Sequence, residues 1–224
     1  MRSLEILDVG RMRYGDALKI QETLVQRLKD GAGTDTLLFV EHPHVVTIGR
    51  NGKEQNVLAS AEILARTGID YYETNRGGDV TYHGPGQVVG YPIVDLREWK
   101  RDVRAYFRSL EYSLIDALSA LDISAERLPE PGYEGVWVNG AKIAAIGVHI
   151  SRWITSHGFA LNVDTDLNYF QYIVPCGLTK PVCSLRSLGC GASHEDVKRV
   201  IAASFSKIFN YQIAMPHGEL QETR

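Results

Sequence analysis

Cysteine is scarce in this chain of 224 residues: there are three, Cys176, Cys183 and Cys190, and none sits in a C-x-x-C pair. An odd number excludes a fully paired disulfide framework and points to reduced thiols in a cytosol-like compartment. Without paired cysteines a structural zinc site lacks its ligand set. His42-Pro43-His44 has no third and fourth ligand nearby, so both histidines are expected at loop or substrate-rim positions, and neither a metal nor a cofactor is expected. An excess of positive charge is also missing. With 24 Lys and Arg against 27 Asp and Glu, spread along the chain, the net charge is −3, which excludes the basic footprint of a nucleic-acid binder. Long apolar runs are absent as well: Glu5 and Asp8 interrupt the first segment, so a signal-peptide core is not expected there, and no later stretch is long enough for a bilayer. A cytoplasmic protein with no membrane partner is the expectation. No internal repeat or low-complexity tract appears. Pro129-Glu130-Pro131-Gly132, the best candidate boundary, reads equally well as a loop, and one domain over 1–224 is expected.

What is present is an interleaving of helical and strand periodicities, which predicts a mixed α/β fold. A first helix is expected over Tyr14 to Asp30, with Gly31 as its stop. A second spans Asp102 to Leu121, where Tyr106, Leu110, Leu114, Ala117 and Leu118 keep the i, i+3, i+4, i+7 spacing. Ser193 and Asp196 form a capping pair that opens a third, with Val197, Val200, Ile201, Phe205 and Ile208 on its apolar face. Strands are expected at Leu4 to Val9, Thr36 to Val40, Val45 to Ile48, Ile69 to Glu73 and Val88 to Val94. Between Gly135 and Ile150, two strand segments flank Asn139-Gly140, a dipeptide suited to positive φ at both positions of a hairpin turn.

The densest segment is Arg76 to Gln87, RGGDVTYHGPGQ, with four glycines, a proline, an arginine, an aspartate and a histidine in twelve residues. Read as a loop, its glycines let backbone approach a ligand closely, Arg76 brings a planar cation, and His83 brings a group that titrates near neutrality. The alternative is a tight surface turn.

Two further residues stand out. Period-two alternation places Lys142 on the face of Ala144, Ile146, Val148 and Ile150. Either its ammonium reaches out at the strand end, or burial lowers its pKa so that it exchanges protons near pH 7. Cys176 lies between Pro175, which fixes the entry, and Gly177, which leaves the sulfur uncrowded. That access suits a nucleophile with a cation nearby, although a free cysteine is also commonly a buried inert thiol.

Five blocks in order, Glu41-His42-Pro43 to Thr47-Ile48-Gly49-Arg50, RGGDVTYHGPGQ with Val89-Gly90-Tyr91-Pro92, Lys142 to Gly147, His157 to Asn162, and Pro175-Cys176-Gly177, resemble the lipoyl(octanoyl) transferase family. The chain departs from that family's pattern at Ala141, where a basic residue often stands, and at Cys183, where threonine is common. The resemblance implies the fold of the biotin/lipoate protein ligase catalytic domain, a mixed sheet packed with helices. It also implies an ATP-independent acyltransferase in which Cys176 and Lys142 form a catalytic dyad. Cys176 accepts octanoyl as a thioester from octanoyl-acyl carrier protein, and the acyl group then passes to a lysine on lipoyl domains of 2-oxoacid dehydrogenase acyltransferase subunits or on the glycine-cleavage H protein. By the same resemblance, Arg76, Gly77, Gly78, Asp79, Val80, Thr81, Tyr82 and His83 line the substrate site together with Ala145, Ile146 and Gly147 and with Gly158, Phe159 and Ala160. The small residues among them are expected to leave room for an alkyl chain. Two rival readings are an ATP-dependent lipoate or biotin ligase, which needs no cysteine, and a non-catalytic binder that is indifferent to Cys176 and Lys142.

Overall fold

Alternation along a few central strands decides the layers. The computed structural model describes residues 2–130, 132–174 and 180–214. Its strands are β1 (Arg2–Arg11), β2 (Asp35–Glu41), β3 (Val45–Ile48), β4 (Asp70–Glu73), β5 (Val80–His83), β6 (Gln87–Ile93), β7 (Val136–Val138), β8 (Ala141–Ser151), β9 (Ile154–Asn162) and β10 (Tyr211–Ile213). The helices are α1 (Tyr14–Lys29), α2 (Ala61–Arg66), α3 (Val103–Ser119) and α4 (His194–Phe209). Seven strands form one sheet in the order β10-β1-β2-β6-β9-β8-β7, parallel at the β10-β1-β2 end and antiparallel from β2 onward. On β2, Leu37 and Phe39 enter a core shared with α3 and α4, whereas Leu38 and Val40 enter a second core under α1. Phe159 and Leu161 divide from Ala160 on β9 in the same way. Both faces of the sheet are therefore covered, and burying these apolar side chains on two sides is the main stabilising term.

A separate three-stranded sheet, β4-β3-β5, packs Val46, Ile48, Val80 and Tyr82 against Leu64 of α2 and Ile173. It stands beside the α1 face of the large sheet and forms one wall of the site described below.

The long helices begin where their caps stand. The Asp102 carboxylate accepts from Ala105 N at 2.9 Å, and Ser193 Oγ accepts from Asp196 N at 3.1 Å, each satisfying an amide that the first turn leaves open. The hairpin turn is as expected, with φ of 49° at Asn139 and 76° at Gly140. The expected strands are present, Val45–Ile48 and Val136–Val138 with the expected bounds and the others with shifted ends. β5, β9 and β10 and the short helix α2 were not anticipated, because their apolar positions are too few or too interrupted by glycine and histidine to show a period.

Close approach of β6 and β9 depends on glycine. A Cβ on Gly158 would lie 2.1 Å from Gly90 O and 2.6 Å from Pro92 Cδ, both fixed parts of the neighbouring strand. Gly158→Ala is therefore expected to lower unfolding free energy by about 2–3 kcal/mol, the usual cost of forcing strands apart in a packed core. Urea denaturation measures this, and a loss below about 0.5 kcal/mol would show that the strands part freely.

Candidate active site

The RGGDVTYHGPGQ segment is not one loop. Val80 to His83 forms β5, paired antiparallel with β3, and only its flanks are irregular. Alternation on β5 explains which residues reach the site: Thr81 and His83 face the cleft between the two sheets, while Val80 is wholly buried in the small core. Tyr82 also belongs to that core, with its hydroxyl 2.7 Å from His44 Nδ1, although part of it lines the Lys142 end of the cleft.

Arg76 is buried, with 6% exposure. Its Nε donates to Thr47 Oγ1 at 3.1 Å, Nη2 to Thr47 O at 2.7 Å, and Nη1 to Gly77 O at 3.0 Å. Much of the donor fork expected to face substrate is thus occupied in holding β3 to the glycine turn, although the side chain still lines the cleft. Gly77 N in turn donates to Val148 O at 2.8 Å, so this turn is stitched to β8 of the large sheet. A Cβ on Gly147 would stand 2.9 Å from Gly77 O and 3.2 Å from Arg76 Cδ. Gly147 and Gly158 both line the cleft, while the space that a side chain would take at either is filled by neighbouring protein atoms. Ala145 and Ala160, opposite each other in the β8–β9 register, are the small residues that floor the cleft. Asp79 points elsewhere. Its carboxylate accepts from Lys53 N at 3.0 Å and from Asn56 Nδ2, and Asn56 O accepts from Val174 N at 2.7 Å.

Two buried histidines, His83 and His157, line the cleft and a third, His42, packs against His83; their partners assign their protons. His42 is not at a rim: it has no exposure, its Nδ1 donates to Met12 O at 2.8 Å, and its Nε2 accepts from the Tyr91 hydroxyl at 2.8 Å. His83 Nδ1 is 3.2 Å from Gln87 Oε1, since Gln87 Nε2 already donates to Tyr82 O at 3.1 Å and Asn162 Oδ1 at 3.0 Å. His157, at φ 55°, has Nε2 2.7 Å from Asn75 Oδ1 and Nδ1 3.5 Å from the Tyr14 hydroxyl, while its backbone N donates to Gln21 Oε1 at 2.8 Å. Desolvation pushes His42 down to about 4 and His157 down to about 3, the latter with added repulsion from Arg76. His83 is held well below its ordinary value by desolvation, with repulsion from His42 and Arg76 adding to it. All three are neutral at pH 7, so they present lone pairs and N–H groups rather than charge.

At the other end stands Lys142, with 7% exposure and its ammonium 4.9 Å from the centre of the Trp137 ring. It does not reach out to solvent, nor does it share the face of Ala144, Ile146, Val148 and Ile150, which pack against the α3–α4 core. A register irregularity opposes Lys142, Ile143 and Ala144 to only Trp137 and Val136 of β7. That extra residue breaks the period-two alternation, and Lys142 lines the cleft beside Ala145, Ala160 and Asn162. Its backbone is held on both sides: Lys142 N donates to Pro181 O at 2.9 Å, and Lys142 O accepts from Cys183 N at 3.0 Å. Asn162 Nδ2 donates to Cys183 O at 2.9 Å, so a hydrogen-bond chain runs from His83 through Gln87 and Asn162 to the lysine strand. Cys176 lies outside the described residues. Of the other thiols, Cys183 is buried, and desolvation pushes it up to about 11.

Arg76, Gly78, Thr81, His83, Ala145, Ile146, Gly147, Gly158, Phe159 and Ala160 thus surround one narrow cleft, and Thr81, Ala145 and Ala160 continue it to Lys142. Gly77 and Asp79 border a separate space that shares Gly78, Ile146 and Gly147 with the cleft. Tyr14, Tyr91, Gln87 and Asn75 were not anticipated as site residues. Tyr14, Tyr91 and Asn75 are isolated polar side chains in an otherwise ordinary helix, strand and turn, without a local signal, whereas Gln87 closes the RGGDVTYHGPGQ run. Among the described residues, no three His, Cys, Asp or Glu side chains are grouped to hold a metal ion, and no helix is long and apolar enough to cross a membrane.

Comparison with known proteins gives the family and the fold. The family model for the lipoyl protein ligase A/B catalytic domain matches residues 13–206. An octanoyltransferase of Solibacter usitatus is 58% identical over 213 residues, 95% of this chain and 96% of that protein. One from Koribacter versatilis is 51% identical over 217 residues, covering 94% and 86% respectively. The structure of a putative lipoate protein ligase from T. acidophilum with bound lipoic acid is similar at a TM-score of 0.77 and 16% identity, over 96% of this chain and 88% of that one. Lipoate-protein ligase A bound with ATP is similar at 0.72 and 17%, over 96% and 90%. At such identities the likeness shows the fold, the mixed α/β architecture of lipoate and biotin ligases.

The neutral histidines make folding stability fall with acid. Between about pH 6.5 and 4 an unfolded chain protonates at position 42 while the folded one does not, so stability drops by about 1.4 kcal/mol per pH unit for that group and levels off below the folded value. His157 acts in the same direction, down to about pH 3. Urea midpoints should decline clearly from pH 7 to pH 5, and His42→Gln should flatten the slope; midpoints indifferent to pH over that range would contradict the buried neutral assignments.

Proposed function

We propose, for a chain that belongs to the octanoyltransferases of the lipoyl protein ligase A/B catalytic domain family, a transfer in two halves through an octanoyl thioester on Cys176. The family membership makes it an acyltransferase of protein lipoylation. The donor in this reading is octanoyl-acyl carrier protein, and the acceptor is a lysine of a lipoyl domain, on 2-oxoacid dehydrogenase acyltransferase subunits or the glycine-cleavage H protein. The observation that supports it is a pair of adjoining spaces that share Thr81, Ala145 and Ala160: one is lined by Lys142 and the other by His83 and His157.

In the first half, the Cys176 thiolate attacks the thioester carbonyl, the carbon–sulfur bond to phosphopantetheine breaks, and the leaving thiolate takes up a proton. Lys142 accepts the proton from Cys176, stabilises the thiolate as an ammonium, and returns the proton to the leaving sulfur. In the second half, the acceptor amine attacks the acyl-enzyme, loses a proton to Lys142, and leaves as an amide while Cys176 is regenerated. Exchange of thiol for thioester is near balance, whereas amide formation drives the sequence forward. The thioester is already activated, so the scheme requires no ATP. His83 serves as a neutral positioning group: its Nδ1 proton is held by Gln87, and its desolvated ring is a poor base at pH 7.

The purified protein, incubated with octanoyl-acyl carrier protein without ATP, is expected to gain one octanoyl mass that Cys176→Ser does not gain. Transfer that appears only with ATP would favour the ligase reading, which the fold alone permits. Transfer indifferent to Cys176→Ser and Lys142→Ala would overturn the dyad.

Lys142→Ala is expected to raise the pH at which Cys176 alkylates, because a nearby cation stabilises the thiolate; an unchanged profile would remove the coupling. Ala160→Leu, which fills the floor midway, is expected to reduce acylation by octanoyl far more than by butanoyl donors, and equal loss at both lengths would point to misfolding.

A further inference from the structure

The end of the cleft remote from Lys142 is closed by polar side chains rather than by core. Tyr14, Tyr91 and His157 stand there, and His157 is fixed by Asn75 Oδ1 at 2.7 Å and, through its backbone N, by Gln21 Oε1 of α1 at 2.8 Å. Behind His157 lies a second, larger space between α1 and the ends of β8 and β9, with about 390 Å³ open, lined by Gln21, Val25, Asn75, His149, Ser156 and His157 itself. The open volume of the cleft is about 40 Å³. His157 is thus a wall shared by a narrow cleft and a roomy cavity, and both of its ring nitrogens are directed at polar partners.

The dimensions match an acyl chain of limited length. From Lys142 to Gly147 along β8 is five residues, roughly 16 Å at ~3.3 Å per residue. An extended eight-carbon chain, with carbon–carbon bonds of about 1.5 Å in zigzag, is roughly 9 Å long. With the thioester at the Lys142 end, as the acyl-enzyme reading has it, the remaining length covers the Lys142 side chain and the thioester and brings the terminal methyl to the Gly158–His157 step of β9. A longer chain would have to push into a buried imidazole and leave its hydrogen-bonded nitrogens without partners, a cost that an alkyl group cannot offset.

Resting on the acyl-enzyme reading above, we propose that His157 is the chain-length stop of this octanoyltransferase: it ends the acyl cleft, and its removal joins the cleft to the cavity behind. The backbone at position 157 makes the test practical. Its φ of 55° is left-handed, where glycine is better suited than histidine, so His157→Gly removes the wall without adding backbone strain.

The experiment is a competition in which wild type and His157→Gly are offered equimolar octanoyl and dodecanoyl carrier-protein donors and the Cys176 adducts are counted by intact mass. His157→Gly is expected to raise the dodecanoyl-to-octanoyl ratio by ~10-fold or more, equivalent to about 1.4 kcal/mol of changed selectivity. Should thermal melting show that this variant does not fold, Asn75→Ala, which frees the ring without altering β9, should shift the ratio in the same direction by roughly 3-fold. That smaller shift would reflect partial mobility of the wall. An unchanged ratio in every folded variant overturns the stop. Failure of the wild type to form any Cys176 adduct is a different result, and it overturns the acyl-enzyme reading on which the stop depends.

Discussion

A buried guanidinium holds the site together. Arg76 joins β3 to the glycine turn through Thr47 and Gly77, and that turn is tied to β8 by the amide of Gly77. The small sheet and the large sheet therefore meet across a fixed gap. A charge removed from water is costly unless its donors are satisfied, and here carbonyl and hydroxyl oxygens of the two flanking segments supply that satisfaction. The same charge disfavours protonation of His83 and His157. One side chain thus fixes the width of the cleft and helps keep its walls neutral.

Neutral walls suit the chemistry of acyl transfer. In the proposed transfer a thioester carbon is attacked by a thiolate and then by an amine, and unpaired cations along an alkyl cleft would hold water where the acyl chain should lie; Arg76, which lines the cleft, gives its donors to oxygens of Thr47 and Gly77 instead. The charged amine, Lys142, stands at one end on a strand whose bulge turns it into the cleft, against the ring of Trp137. The hydrogen-bond chain from His83 through Gln87 and Asn162 to the backbone around Lys142 gives the two ends a common frame. Positioning of this kind is worth much in a two-step transfer, because misplacement by a fraction of an ångström weakens both halves.

Small residues have two different roles in this frame. Ala145, Ala160, Gly147 and Gly158 all line the cleft, but at Gly147 and Gly158 the place of the missing side chain is taken by Gly77, Arg76, Gly90 and Pro92. Sequence composition does not distinguish them, since a missing side chain looks the same whether a ligand or a neighbouring strand fills its place.

The amphipathic spacing of α1, α3 and α4, the caps at Asp102 and Ser193, and the Asn139-Gly140 hairpin were all legible along the chain, because each depends on residues within a turn or two of one another. So were the ordered blocks that identify the family; the resemblance they carry groups Arg76, Gly78, Thr81 and His83 with Ala145 to Gly147 and Gly158 to Ala160, as the cleft does, but also includes Val80 and Asp79, which turn elsewhere. What escaped was set by contacts between distant segments. β5 was hidden inside a glycine-rich run because four residues carry too little periodicity, and pairing with β3 makes it a strand. Lys142 changed face because one extra residue in β8 is visible only against β7. His42 read as a rim residue until Met12 and Tyr91 enclosed it, and Tyr14 and Asn75 had no local pattern at all. Local propensity and short-range pattern were determined by the sequence alone; which polar groups were buried, paired and turned toward the cleft was decided only by packing between strands and helices far apart in the chain.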